Sequence, residues 1–169
     1  MSVDLSKIQQ CIYTWIATEL RDTDITPDKI VWKMQDAPRP SRPYFALDFV
    51  SGPNQVGHDE LREITPGKFT VCGERAMTVS IDAYGDQAMA LVFRVHSSLA
   101  KPTIQSIFQK YDVGLQRQED VTDRSIKLET KFETRFGFDV IINVASNTTD
   151  EPGFIETVEV TDLINGEPV

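Results

Sequence analysis

The residues able to do chemistry are few, and the densest group is His58-Asp59-Glu60. An imidazole beside two carboxylates is material for a metal site or for general acid–base catalysis. A metal site needs more ligands converging on it, and the other histidine, His96, falls inside a helical pattern. A nucleophilic triad needs a base near Ser, Thr or Cys, and neither histidine stands in a GxSxG context. Phosphate-cradling motifs of the GxxxxGK[ST] or GxGxxG type are absent from the sequence. Cys11 falls in a predicted helix and Cys72 in a predicted strand, without CxxC spacing, which reads as two reduced, half-buried thiols. Asn147-Thr148-Thr149 fits a glycosylation sequon but lacks a secretion signal to make it useful, and Asp150-Glu151 lacks calcium-loop spacing. The expectation is therefore no catalytic, metal or cofactor-binding residue, and a chain that is not an enzyme. His58-Asp59-Glu60 then belongs to an exposed loop or interface patch.

Composition points the same way. The chain has 169 residues, 40% hydrophobic and 25% charged, enough to bury a full core without disulfides or metal. Its net charge of −9 argues against general nucleic-acid binding and against docking on an anionic membrane. No apolar run approaches a membrane-spanning length, and MSVDLSKIQQ lacks the basic and apolar regions of a secretion signal, so a cytoplasmic protein is expected. Arg135 is the last basic residue. Asp139, Asp150, Glu151, Glu156, Glu159, Asp162 and Glu167 follow it uncompensated. Two readings stand: a solvated acidic tail, or a surface that repels a polyanion or meets a basic partner.

The elements that must position these residues are legible from periodicity. Lys131 to Ala145 alternates, with Phe132, Thr134, Phe136, Phe138, Val140, Ile142 and Val144 on one side, and is expected to be the central strand. At about 3.3 Å per residue it would span roughly 50 Å, so either Gly137 forms a bulge or part of the strand projects beyond the body. Leu5 to Leu20 is an amphipathic helix with Ser6 or Asp4 as cap. Short strands are expected at Ile30 to Met34 and Tyr44 to Ser51, joined by an extended proline loop, DAPRPSRPY. Gly52-Pro53-Asn54 reads as a turn. Gln55 to Tyr84 reads as a long polar hairpin with Pro66-Gly67 at its tip. Such a hairpin exceeds what its own core requires, which makes His58, Asp59, Glu60, Arg62, Pro66, Gly67 and Lys68 a candidate subunit or partner interface. Asp86 is the expected cap of a helix carrying Ala88, Leu91, Val92, Val95 and Leu99, followed by a short helix over Thr103 to Tyr111. Asp112 to Leu128 reads as loop and weak strand, Asn147 to Gly153 as a turn, and Phe154 to Val160 as a last strand or partly ordered arm.

The expected fold is α+β over residues 1–169, a single domain with a mostly antiparallel twisted sheet, an extended β-hairpin, an N-terminal helix and a central helix pair packed on the sheet. Residues 146–169 would form an acidic C-terminal arm. Asp150, Glu151, Glu156 and Glu159 are its candidate surface for repelling a polyanion or meeting a basic partner.

Several segments in order give the chain a resemblance. These are IVWKMQDAPRPSRPYFALDFVSG, QVGHDE, the strand ending SIDAYGDQAMALV, and FETRFGFDVIINVA followed by an acidic turn and FIETVEV. A proline loop leads into an aromatic strand, a Tyr-Gly closes a strand before a helix, and Glu133, Arg135, Phe138 and Asp139 mark a late strand. Together they resemble the tail terminator proteins of tailed-bacteriophage necks over almost the whole chain, although Asp112 to Leu128 carries little that matches. The resemblance implies a structural virion protein without a cofactor, assembled in the host bacterial cytoplasm. It implies a hexameric ring that caps the tail tube, and the sheath if the tail is contractile. That ring would end polymerisation, join the tail to the head connector or a head-completion protein, and let packaged DNA pass its lumen without specific binding. Another head–tail joining or tail-completion protein is the near alternative. A small cytoplasmic enzyme or ligand-binding domain is the distant one.

Overall fold

Apolar alternation builds the sheet, and the helices cover one of its faces. The computed structural model describes residues 3–33, 38–127 and 132–152. The chain runs α1 (Leu5–Glu19), β1 (Ile30–Trp32), β2 (Tyr44–Thr65), β3 (Lys68–Tyr84), α2 (Ala88–Ser98), α3 (Pro102–Lys110), β4 (Val113–Gln118), β5 (Thr122–Asp123), β6 (Ile126–Lys127), β7 (Phe132–Glu133) and β8 (Arg135–Asp150). The main sheet has the order β1-β2-β3-β8-β4, with β5 also paired to β8. Only β1 and β2 run parallel in it; the other pairs are antiparallel. The fold is α+β, as expected.

Phe45 and Leu47 of β2, Met77, Val79, Ile81 and Ala83 of β3, and Phe138, Val140 and Ile142 of β8 turn toward the helices and are buried. Against them α1 lays the stripe Ile8, Cys11, Ile12, Trp15 and Ile16 at helical spacing. Asp4 caps α1, its carboxylate accepting the Lys7 N–H at 3.1 Å. Trp15 packs against Phe108 of α3 and Phe138 of β8, with centroids at 5.5 and 6.4 Å. Its indole N–H donates to Ser98 Oγ at 2.8 Å, so the largest core side chain is also polar-satisfied. Pro102 opens α3 at a position where a missing N–H costs nothing. Glu19 fastens the helices together, its carboxylate accepting from Arg94 at 3.0 Å and from Lys101 at 2.8 Å.

Several expectations need correction. The late strand begins at Arg135, after the separate short strand β7, and Lys131 lies outside the described residues. Of the two readings of the long strand, projection beyond the body holds: Gly137 forms no bulge, because the β3–β8 register runs unbroken from Phe69↔Asp150 to Tyr84↔Arg135. The glycine makes room for Asp82 across the sheet; a Cβ there would lie 2.8 Å from the Ile81 carbonyl oxygen. Gly52-Pro53-Asn54 does not turn the chain. β2 passes straight through it with a register shift, and Gly52 at φ +99° lets the strand press against Met77. Asn147 to Asp150 is not a turn, because it pairs with Phe69 to Cys72 and lengthens β8. α2 is capped at Gln87, without a side-chain bond, rather than at Asp86. The Phe154–Val160 expectation, with Glu156 and Glu159, lies outside the described residues.

The consequence is a three-stranded arm. Residues 51–65 of β2, 68–76 of β3 and 145–150 of β8 run past the last core layer, roughly 30 Å at strand rise. From Val50 onward nearly every β2 residue is exposed.

Candidate interface: the arm and the open face of the sheet

The hairpin residues singled out by sequence all lie on this arm. His58 and Glu60 are exposed. Asp59 takes two hydrogen bonds from Arg75 of β3, both 2.7 Å, and the guanidinium holds its carboxyl below the usual range. Glu60 accepts from Arg62 at 2.6 Å. His58, Asp59 and Glu60 therefore do not converge on one point. Among the described residues no group of three or more His, Cys, Asp or Glu side chains could hold a metal ion. Pro66 and Gly67 form the tip, where Gly67 has φ +78° and donates its N–H to Glu63 at 3.2 Å. Lys68 pairs with Glu151 at 2.7 Å. That ion pair brings the tip and the start of the acidic run, Asp150 and Glu151, to one end of the molecule.

The arm also exposes Val50, Val56, Leu61 and Ile64, with Leu61 64% exposed. β1 borders β2 only from Phe45 to Leu47. Beyond that, the outer edge of β2 has no strand beside it among the described residues. An edge of this length is a template for another chain, tempered here by Asp59, Glu60, Arg62 and Glu63.

Sequence reasoning missed the opposite face of the sheet, which carries a buried ionic cluster. Asp82 is fully buried. It accepts from Arg135 at 2.6 Å, Lys33 at 2.7 Å and Arg124 at 3.1 Å. Burial pushes its carboxyl up, but the hydrogen bonds and charges of Arg135 and Lys33 prevail and hold it below the ordinary value. Arg124 also donates to Ser80 at 2.7 Å and Asp139 at 2.9 Å. Tyr44 and Tyr84 stack beside the cluster, centroids 4.7 Å apart and planes within 4°. Arg135 lies over the Tyr84 ring at 5.5 Å. Glu133 is buried and held by Arg42 at 2.6 Å and Arg39 at 3.6 Å. The signal was present as the polar positions of two strands, Ser80-Asp82-Tyr84 and Arg135-Gly137-Asp139. Period-2 alternation sends such residues to solvent unless something covers them.

What covers them is the chain around Lys33, Arg39 and Arg124. It leaves a cavity of about 230 Å³ lined by Val31, Trp32, Lys33, Arg39, Tyr44 and Tyr84. On the helical side, Met89 and Phe93 stand exposed one turn apart on α2. Cys11 is buried and its thiol is pushed up to about 12 by burial, against a small opposing effect of Lys7, so it is no nucleophile. No helix among the described residues is long and apolar enough to cross a membrane.

The described surface thus offers strand edges, apolar side chains on an arm and a structural ion cluster. Comparison with curated proteins finds no match. The model of one family does match, over residues 6–168, which takes in the helices, the arm and the acidic C-terminal run. By that match along nearly its whole length, the chain belongs to the phage neck terminator protein family.

Proposed function

We propose that the chain, acting as one tail-terminator-like domain with an acidic C-terminal arm, forms a hexameric ring on the head-proximal end of the tail tube. The ring ends tube growth, and sheath growth if the tail contracts. It then presents a face to the head connector or a head-completion protein. The observation that carries this reading is the arm: three strands extend beyond the core, and among the described residues no strand lies beside the outer edge of β2 from Asp48 to Thr65. A ring of identical subunits needs heterologous contacts, one patch on each subunit meeting a different patch on the next. Strand addition to an open edge supplies such a contact through main-chain hydrogen bonds. His58, Arg62 and Lys68 on the arm are the proposed contact residues, and the acidic residues from Asp150 onward face the lumen or a basic partner. A net charge of −9 favours a lumen through which DNA slides, since a basic lining would hold it. The protein is expected in the virion neck and acts by shape, without catalysis.

Sedimentation velocity on the protein alone and with purified tail tubes tests this. A hexamer, free or seated on tube ends, is expected. A monomer that ignores tubes at every concentration overturns the reading.

A further inference from the structure

Where the chain leaves the described structure matters for what its last residues can touch. β8 ends at Asp150, beside Phe69 at the arm tip, and Glu151 is tied there to Lys68. The remaining residues 153–169 therefore start at the far end of the arm. They carry Glu156, Glu159, Asp162 and Glu167 with no Lys or Arg, and near their start Phe154-Ile155-Glu156-Thr157-Val158-Glu159-Val160 mixes apolar and β-branched residues with two glutamates.

The cavity beside β1 has the opposite character. Tyr44, Tyr84, Val31 and Trp32 make its apolar wall, and Lys33 and Arg39 stand on it. Lys33, Arg39, Arg42, Arg124 and Arg135 face Asp48, Asp82, Asp139 and Glu133 on this side, leaving one excess positive charge on a chain whose total is −9. Arg39 is 77% exposed and only loosely engaged, 3.6 Å from a carboxylate that Arg42 already holds. At about 230 Å³ the cavity is smaller than the roughly 300–1,000 Å³ usual for small-molecule sites. It suits side chains of a peptide. Among the described residues β1 is also the last strand on that side of the sheet, so an extended segment lying there gains main-chain hydrogen bonds.

We propose that the acidic segment Phe154–Val160 of one copy docks in the aromatic, basic-rimmed cavity beside β1 of a second copy. The segment cannot serve its own subunit. The cavity spans the level of Arg135 to Phe138 of β8, about 40 Å or more from Asp150 at strand rise. Val160 is ten residues beyond Asp150, which an extended chain carries at most about 36 Å. Docking is therefore between copies, and it links the arm tip of one to the body of the next. This rests on the self-association proposed above and names a second contact for it.

The test uses a fluorescein-labelled peptide of residues 153–169 titrated with the full chain and read by anisotropy. Saturable binding is expected. The exposed Arg39→Glu change should weaken it by about tenfold through like-charge contact, and a peptide carrying Glu156→Lys should recover part of that loss. A peptide that fails to bind, or binds Arg39→Glu protein unchanged, overturns the proposal. In parallel, a photo-crosslinking amino acid replaces Val158 in the full chain, which is mixed with isotopically heavy protein. Crosslinks joining light to heavy chains at Val31–Lys33 or Arg39 support docking. Crosslinks within one chain, or to other surfaces, overturn it. The two readings fail separately: intact hexamers with misplaced crosslinks reject only this contact, and peptide binding without any hexamer rejects only the ring.

Discussion

Asp82 carries the highest stakes of any single side chain. Three cations converge on one buried carboxylate, so removing it leaves Lys33, Arg124 and Arg135 without their shared partner. Asp82→Ala is expected to cost about 3–5 kcal/mol, read from urea unfolding, because uncompensated buried charge is worse than no charge. The same carboxylate gives stability a pH dependence of known sign. Its folded value is depressed, so its contribution is complete above the unfolded value near 3.9 and is lost as pH falls from there through the folded value. Glu19, where burial pushes up but Lys101 and Arg94 pull down more strongly, contributes with the same sign. Melting temperature followed from neutral pH to pH 3 should fall for the wild type, and the fall should be shallower for Asp82→Ala. Gly137 belongs to this same constellation: Gly137→Ala should destabilise the fold in the same assay, since the new methyl meets Asp82 and the Ile81 carbonyl.

At the level of elements, the arm and the body of β2, β3 and β8 differ in what holds them. Inside the body, the strands are clamped between helices and the ionic face. Beyond Val50 and Val144 the described strands are held by ladder hydrogen bonds, the part-buried two-bond pair Arg75–Asp59 and the exposed pair Lys68–Glu151, and exposed pairs of the latter kind are individually weak. Amide exchange should therefore be fast over residues 51–76 and slow over residues 77–84, within strands that are continuous. The double change Leu61→Lys and Ile64→Lys alters only exposed side chains, so thermal stability should shift little, within about 0.5 kcal/mol each. Self-association should drop if the arm makes the subunit contact. An unchanged hexamer would move the contact elsewhere.

For the whole molecule, the proposed role predicts a phenotype of length. Phage grown without this protein should assemble tails with overlong or ragged tubes, visible by electron microscopy. Tails of normal length that fail to join heads would instead point to a joining protein. Among the described residues the structure offers strand edges and a projecting arm, and no group of three or more His, Cys, Asp or Glu that could hold a metal.

Some of this was fixed by local pattern. Helix α1, the Pro66-Gly67 tip, the apolar faces of β2, β3 and β8 and the α+β class follow from spacings of two, three and four residues, which act within one element, while the structure chose Asp4 over Ser6 as the α1 cap. The acidic end of the chain is simple composition. Tertiary structure decided the rest, because it depends on which strands meet. Gly52-Pro53-Asn54 and Asn147 to Asp150 have turn chemistry, yet pairing with β3 draws both into strands. The long strand read either as broken at Gly137 or as projecting, and the choice came from setting Asp82 opposite Gly137 in an unbroken register. Asp82, Lys33, Arg124 and Arg135 are scattered over a hundred residues, and no periodicity within any one element could announce that they share a buried face. Pairing across strands distant in sequence put them there, and the same pairing carried the end of β8 out to the arm tip.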